Sequence, residues 1–178
     1  ITTNVKFDQN SANKTADTLK SDILTTLTNY NTNTLTQFDG VFRYSKVTGL
    51  IDNTDSSILS NITTLKIRKD FTPTLTVSSK YNVYFRNSLH NPHSGHNSAA
   101  GGILESSGFK VSGDSSTVFY LDDDGVGNVR RYSFSGATRV YTASDQGTID
   151  YDTGSITINS LSVLSVENIR GEASSKIE

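Results

Sequence analysis

The three histidines of the chain lie close together at His90, His93 and His96. Imidazoles at three-residue spacing can converge on Zn²⁺ or another borderline metal ion, and three histidines with an open fourth position have the form of a catalytic zinc site. Pro92 and Gly95 interrupt the segment, and the closest acidic residue on its C-terminal side, which would have to orient the rings, is Glu105. The sequence therefore predicts an exposed, metal-free loop, with a metal-dependent hydrolase as the weaker alternative.

A second candidate site is the segment Asp122-Asp-Asp-Gly-Val-Gly-Asn128. Oxygens from Asp122, Asp124 and Asn128 resemble part of a calcium loop, because a hard cation binds several oxygens gathered by a glycine turn. The bidentate Glu that ends such a loop is missing, and the glycines precede a strand pattern, whereas phosphate binding needs a helix N-terminus. Asp-Gly and Gly-Asn instead favour a hairpin turn.

The third candidate is the stretch 148–158, TIDYDTGSITI, in which two runs of alternating β-formers flank Asp-Thr-Gly-Ser. It predicts a β-hairpin with a positive φ at Gly154. Asp150 and Tyr151 point to opposite faces of a strand while Asp152 enters the turn, so no carboxylate pair for acid–base catalysis is implied. Asp-Thr-Gly also occurs in aspartic proteases, but the flanking residues are not apolar. We expect no catalytic residue, no cofactor and no metal ligand.

Composition narrows the class of protein. Only 34% of the 178 residues are hydrophobic, the formal net charge is −2, and there is no Cys and no Met. The lack of a basic surplus argues against nucleic acid as a partner. No apolar run is long enough for a membrane span, which predicts no membrane partner. Without cysteine, disulfides and thiol chemistry are excluded. The missing initiator Met predicts a fragment of a longer protein.

Periodicity predicts an α+β fold. Apolar residues at three- and four-residue steps predict an amphipathic helix over Ala12–Tyr30, capped by Asn10 or Ser11 and preceded by a strand over Asn4–Phe7. A polar Asn-Thr-Asn-Thr link leads to a second helix over Asp39–Leu50. The face of the second helix would carry Phe38, Val41, Phe42, Ser45 and Gly49, and its small members would allow close packing of another backbone.

The rest of the chain is predicted to be β-rich. Ile58–Phe71 alternates as a strand that Pro73 ends. Beyond it, period-two segments between Gly, Asn, Asp and Ser turns predict antiparallel hairpins. These segments are Thr74–Val77, Asn82–Asn87, Phe109–Val111, Val118–Asp122, Val129–Phe134, Ala137–Thr142, Thr148–Tyr151, Ser155–Ile158 and Leu161–Ile169. We therefore predict an α+β unit over residues 1–72 and a β-rich region over 73–178, which either form two separate parts or pack as one continuous domain.

Four stretches, in this order, resemble the C-terminal part of the baseplate wedge protein of T4-like contractile-tailed phages, which is related to the baseplate J family. They are 38–52 (FDGVFRYSKVTGLID), 58–71, 118–129 and 147–158. The loop from His90 to Gly102 has no counterpart in this pattern. The resemblance implies a structural, non-enzymatic subunit of the virion tail baseplate. It further implies contacts with copies of itself and with other wedge proteins in a ring that rearranges when the tail contracts.

A carbohydrate-binding or adhesin module is the alternative function. Its sugar platform would use the aromatic rings of Tyr81, Tyr84, Tyr120 and Tyr132, although the chain contains no Trp. The sequence does not indicate the stoichiometry of an assembly or the identity of the neighbouring subunits.

Overall fold

A computed structural model describes all 178 residues and divides them into two compact units, Ile1–Ile67 and Arg68–Glu178. The first unit is a strand, two helices and a strand, and the second is built from antiparallel strands. The predicted α+β fold is therefore confirmed. No helix is both long enough and apolar enough to cross a membrane. The predicted division into an α+β unit over 1–72 and a β-rich region over 73–178 stays a prediction.

The first unit contains β1 (Thr2–Phe7), α1 (Ala16–Tyr30), a π-helical turn (Asn31–Leu35), α2 (Tyr44–Asp52) and β2 (Ile58–Thr64). β1 and β2 form a two-stranded antiparallel sheet in which Thr2 lies opposite Thr64. Leu59 is an extra residue on β2, because Lys6 lies opposite Ser60 and Phe7 lies opposite Ile58. Such a bulge bends the strand locally.

Helix α1 begins four residues later than predicted. Asp8 organises a turn before it: its carbonyl accepts from the Ala12 amide at 3.0 Å, and its carboxylate accepts from the Asn10 amide at 3.0 Å. The N-cap is Thr15, whose hydroxyl accepts from the Thr18 amide. The predicted caps at Asn10 and Ser11 are therefore wrong, because local side-chain bonds hold residues 8–12 in a turn.

The predicted second helix is correct only in its C-terminal part. α2 begins at Tyr44, and residues 38–43 are not helical. The Asn-Thr-Asn-Thr link, predicted as a simple connection, continues α1 as the π-helical turn instead. The proposed packing face through Ser45 and Gly49 is also wrong within the chain, because a Cβ built at Gly49 meets no atom within 4 Å. The face that packs carries Val47 and Ile51, both fully buried.

The core of the first unit is small. It is formed by apolar side chains of α1, α2 and β2 that lie between the helices and the sheet: Ile23, Tyr30, Val47, Ile51 and Ile58. Half-buried Val5 and Phe7 of β1 pack against this cluster. Both helices therefore bury one stripe only, as the amphipathic pattern predicts.

The second unit contains β3 (Ser78–Tyr84), β4 (Phe109–Val111), β5 (Asp114–Asp123), β6 (Asn128–Ser135), β7 (Thr138–Asp150) and β8 (Ser155–Val166). The strand order is β3-β8-β4-β5-β6-β7, and β7 also pairs with β8. This last pairing closes β4 to β8 into a small five-stranded antiparallel barrel, with β3 added on β8.

Several strand predictions need correction. Thr74–Val77 is a turn with a positive φ at Thr76, so no strand exists there. The two strands predicted at 137–142 and 148–151 are one continuous strand, β7, and those at 155–158 and 161–169 are largely one strand, β8. Irregularities in pairing lie at the predicted breaks, between Val129 and Arg131 on the β6 side and between Ser79 and Tyr81 on the β3 side. The residues at these bulges are polar, as residues in turns are, and the sequence pattern therefore predicted turns there.

The barrel core consists of inward-facing apolar side chains from β4 to β8 and from the chain end: Phe109, Phe119, Leu121, Val129, Ile149, Ile156, Ile158, Leu161, Val163 and Ile177. Ile177 reaches this core because its backbone pairs with Phe71 in both directions, at 3.0 and 3.1 Å. The strands that carry the predicted polar sites are thus held by a continuous apolar interior.

Candidate interaction surfaces

The loop of residues 36–43, called here the Phe38 loop, projects apolar side chains into solvent. Phe38 is fully exposed, Val41 is 60% exposed and Phe42 is 39% exposed. Large apolar side chains that lie side by side on a surface mark interaction sites, whereas single ones are common on any protein. This group is therefore a candidate interaction surface.

The backbone of the Phe38 loop is held in place from the inside. The Thr36 amide donates to the Asn31 carbonyl at 3.0 Å, and the Gly40 amide donates to the Gln37 carbonyl at 3.0 Å. Gly40 lies against the carbonyls of the π-helical turn, so a Cβ there would approach the Leu35 oxygen to 2.6 Å. Only glycine fits this close approach. The loop is therefore a defined turn, and its exposed rings are presented by a fixed backbone.

Three strands have an edge that pairs with no other strand of the chain. β1 and β2 pair only with each other, and β3 pairs only with β8. β1 and β3 carry one lysine each, Lys6 and Lys80, and a charge on an edge disfavours the addition of a further strand. The edge of β2 is partly satisfied, since the Tyr44 hydroxyl donates to the Thr63 carbonyl at 2.6 Å.

The loop from His90 to Gly102, called here the histidine loop, packs against the β5–β6 turn. Asn91 Nδ2 donates to the Gly125 carbonyl at 2.8 Å, and the Ser98 amide donates to the Asp124 carbonyl at 2.6 Å. The loop can approach this closely because residue 125 is glycine: a Cβ there would lie 2.6 Å from the Cβ of His93. Gly125 also has a positive φ of 85°.

The structure brings two of the three histidines together. His93 Nδ1 and His96 Nε2 are 3.4 Å apart, while His90 lines a separate cleft. His90 and His96 are exposed and His93 is half-buried. No group of three or more His, Asp or Glu side chains is arranged to hold a metal ion. The absence of metal from the loop in solution stays a prediction.

Asp122, predicted as the last residue of a strand and considered as a calcium ligand, is completely buried, as is Asp123. Asp122 lies on the outer face of the barrel opposite Arg130. Its carboxylate accepts from Arg130 Nε at 3.0 Å, from Arg139 Nη1 at 2.7 Å and from the Tyr141 hydroxyl at 2.9 Å. Three donors on one carboxylate compensate its loss of water.

Asp123 points to the inner side and holds a neighbouring segment. It accepts from the amides of Ile103 and Leu104 at 2.7 and 2.6 Å, and from the Tyr151 hydroxyl at 2.6 Å. Burial, together with this bond to Asp123, raises the pKa of Tyr151 above its ordinary value. No buried side-chain oxygen or nitrogen of the chain lacks a partner. The two carboxylates are thus structural anchors without a free coordination position.

Asp124 forms the predicted β5–β6 turn. Its carboxylate accepts from the Val126 amide at 2.9 Å, the Asn128 amide at 3.0 Å and Asn128 Nδ2 at 2.7 Å. Bonds from Asn128 and Val126 lower the pKa of Asp124 and outweigh burial, which acts in the opposite direction. The hairpin that Asp-Gly and Gly-Asn predicted is therefore present, and the oxygens considered for calcium serve the turn.

The β7–β8 turn also agrees with the sequence. Gly154 has a φ of 65°, and Asp150 Oδ1 accepts from the amides of Asp152 and Thr153 at 2.9 and 3.2 Å. The bonds from Thr153 lower the pKa of Asp150, so this carboxylate is ionised and not poised for proton transfer near neutral pH. An open cleft of about 600 Å³ lies beside the turn and is lined by His90, Asp150, Tyr151 and Asp152 among others.

The four tyrosines considered for sugar binding do not form a platform. Tyr132 is only 4% exposed, and the Arg139 guanidinium covers its ring at 4.7 Å. Tyr120 stacks on Tyr132 with ring centroids 5.6 Å apart. Tyr81 packs on Phe71 instead, on a strand that is not adjacent to β5 or β6. These rings mostly stabilise the barrel surface.

Part of the chain is similar to a known protein family. Residues 1–70 match the model described as baseplate structural protein gp6, C-terminal domain III. This segment includes the whole of the first unit. No curated protein matches the chain. Of the four stretches on which the resemblance rested, 38–52 lies inside the match and 58–71 lies inside it except for its last residue, whereas 118–129 and 147–158 lie outside it.

The match supports a structural, non-catalytic role in the phage tail baseplate of the virion, in association with other baseplate components. The Phe38 loop belongs to the matched segment. Its apolar residues had been assigned to a helix face, so the loop was not predicted as a surface. The dipeptide Asp39-Gly40 was the available signal, since Asp-Gly marks turns.

Proposed function

We propose that the chain is a structural subunit of a baseplate wedge that contacts copies of itself and other wedge proteins in a closed ring. We further propose that the ring changes its arrangement when the tail contracts. The observation that carries this proposal is the Phe38 loop, a fixed turn with three exposed apolar side chains inside the segment similar to a baseplate structural domain. Subunits that close into rings use such surfaces repeatedly, once per copy.

Contacts within the second unit support the same role. Buried Asp123 fixes the segment that precedes β4, and buried Asp122 joins β5 to β6 and β7. The Asp150 carboxylate accepts hydrogen bonds within the β7–β8 turn. Asp122 and Asp123 are thus fully engaged in contacts within the chain, and Asp150 is ionised and serves the β7–β8 turn. The polar groups of the barrel are thus used to hold surfaces in position, which is the requirement of a scaffold.

Reconstitution tests the proposal. The chain, or the longer protein that contains it, is mixed at micromolar concentration with the baseplate proteins encoded beside it, and the products are analysed by light scattering and electron microscopy. We expect a defined complex with cyclic symmetry. A chain that stays separate from every baseplate protein, yet binds a glycan on an array, would favour the adhesin alternative and contradict the proposal.

A further inference from the structure

The side chains of His93 and His96 meet at the surface of the histidine loop. His93 Nδ1 and His96 Nε2 are 3.4 Å apart, and the two rings are inclined at 76° with their centroids 5.3 Å apart. The two nitrogens are thus closer together than the ring centres. One nitrogen donates a hydrogen bond to the other, and the tautomers of the two rings decide which is the donor.

The separation of these nitrogens is that of two ligands on one tetrahedral ion. Zn–N bonds of about 2.0–2.1 Å at the tetrahedral angle place two nitrogens about 3.3–3.4 Å apart. A square-planar ion such as Cu²⁺, with bonds of similar length and adjacent ligands at a right angle, would need them about 2.8–3.0 Å apart. The observed 3.4 Å therefore fits the tetrahedral ion, so binding needs a turn of the rings but no change in the distance between the nitrogens.

We propose that His93 and His96 bind one Zn²⁺ ion, His93 through Nδ1 and His96 through Nε2, with water in the two remaining positions. Imidazole is a common ligand of this ion. The other nitrogen of each ring then carries the hydrogen. Water can accept from it in place of a carboxylate, since His96 is exposed and His93 is half-buried. For these two residues the proposal replaces the sequence-based expectation of a metal-free loop, whereas His90 stays outside the site because it lines a separate cleft.

The backbone that carries the two histidines is already held in place. The His96 amide donates to the His93 carbonyl at 3.2 Å, which closes a turn between them. Asn91 fixes the start of this turn, because its Oδ1 accepts from the His93 amide at 2.9 Å and its Nδ2 donates to the Gly125 carbonyl at 2.8 Å. An ion therefore meets two ligands on an ordered segment, and little further ordering of the chain reduces its affinity.

Zinc titration of the full chain, prepared without a histidine tag, tests the proposal. Calorimetry should show one ion bound per chain in the micromolar range. His93→Gln and His96→Gln should each weaken binding by at least about tenfold, since even residues that only orient a ligand contribute about 10–100-fold to metal affinity. His90→Gln is the matched control: it removes a histidine of the same loop that lies outside the pair, and it should leave the affinity unchanged. Circular dichroism shows whether each variant is folded.

Spectroscopy identifies the coordinating atoms. Co²⁺ in place of Zn²⁺ should give the visible absorption of a tetrahedral ion. In NMR spectra of the nitrogen-labelled chain, the shifts caused by Zn²⁺ should fall on Nδ1 of His93 and on Nε2 of His96, while both ring nitrogens of His90 keep their positions. This choice of nitrogens follows from the geometry of the pair, and an ion held loosely by any exposed histidine would not produce it.

Three results would overturn the inference: no zinc binding in the micromolar range, an affinity that falls as far in His90→Gln as in His93→Gln, or coordination through the opposite ring nitrogens. The histidine loop lies outside the segment that is similar to the baseplate domain. Zinc binding and ring assembly are therefore tested independently, and a chain that fails to assemble with baseplate proteins but binds zinc through this pair would contradict the proposed function alone.

Discussion

At the scale of single residues, Asp122 is the side chain that joins β5 to both β6 and β7 on the barrel surface. Replacing Asp122 by Ala leaves the half-buried guanidinium groups of Arg130 and Arg139 without their carboxylate. Loss of one partner from a buried ion pair costs about 3–5 kcal/mol. We expect the free energy of unfolding of the barrel, measured by urea denaturation, to fall by that order.

Asp145 provides the control for this change. It lies on β7 and is exposed, and Asp145→Ala should change stability by no more than about 0.5 kcal/mol. Equal effects of the two substitutions would show that burial and the three bonds to Asp122 contribute little.

Part of this site was available from the sequence. A three-residue turn at 125–127 places Asp122 opposite Arg130 by counting outward along both strands, and the structure has this pairing. The contacts of Arg139 and Tyr141 with Asp122 were not available, because they depend on the register of the next strand. That register is shifted by bulges, which a pattern of polar and apolar residues does not reveal.

At the scale of elements, the sequence located α1 and most strands but missed where several of them begin or end. Amphipathic periodicity predicted the buried stripe of α1 correctly, with Leu19, Ile23 and Tyr30 all buried. Its start was misplaced because Asp8 binds the amides of the following turn, a local competition that periodicity does not register. The strands β7 and β8 were each divided in two, since bulges and turns share the same polar residues.

The start of α1 can be tested by removing its cap. Thr15 Oγ1 accepts from the Thr18 amide, so Thr15→Ala should destabilise the first unit by about 1 kcal/mol. Ser11 is one of the two caps that the sequence predicted, and its hydroxyl makes only a long 3.4 Å bond to the Asp8 carbonyl. Ser11→Ala should therefore have the smaller effect. The stability of both variants is measured from the helical circular dichroism signal during thermal unfolding. A larger effect at Ser11 would place the start of the helix where the sequence had predicted it.

At the scale of the whole molecule, the two units have unequal cores, and we expect them to unfold separately. Five buried side chains form the core cluster of the first unit, against ten in the barrel. All of the α-helix lies in the first unit, so the dichroism signal at about 222 nm follows that unit, while methyl NMR signals of Val129 and Val163 follow the barrel. The smaller core buries less apolar surface and should give way at the lower urea concentration.

Two substitutions assign the transitions. Ile51 is fully buried in the first unit, and Ile51→Ala should cost about 2–5 kcal/mol there, which moves the helical dichroism transition and leaves the barrel signals in place. Leu121 of the barrel is 2% exposed, and Leu121→Ala should do the reverse. If either substitution moved both transitions together, the units would fold as one cooperative body, and the alternative of one continuous domain would be correct.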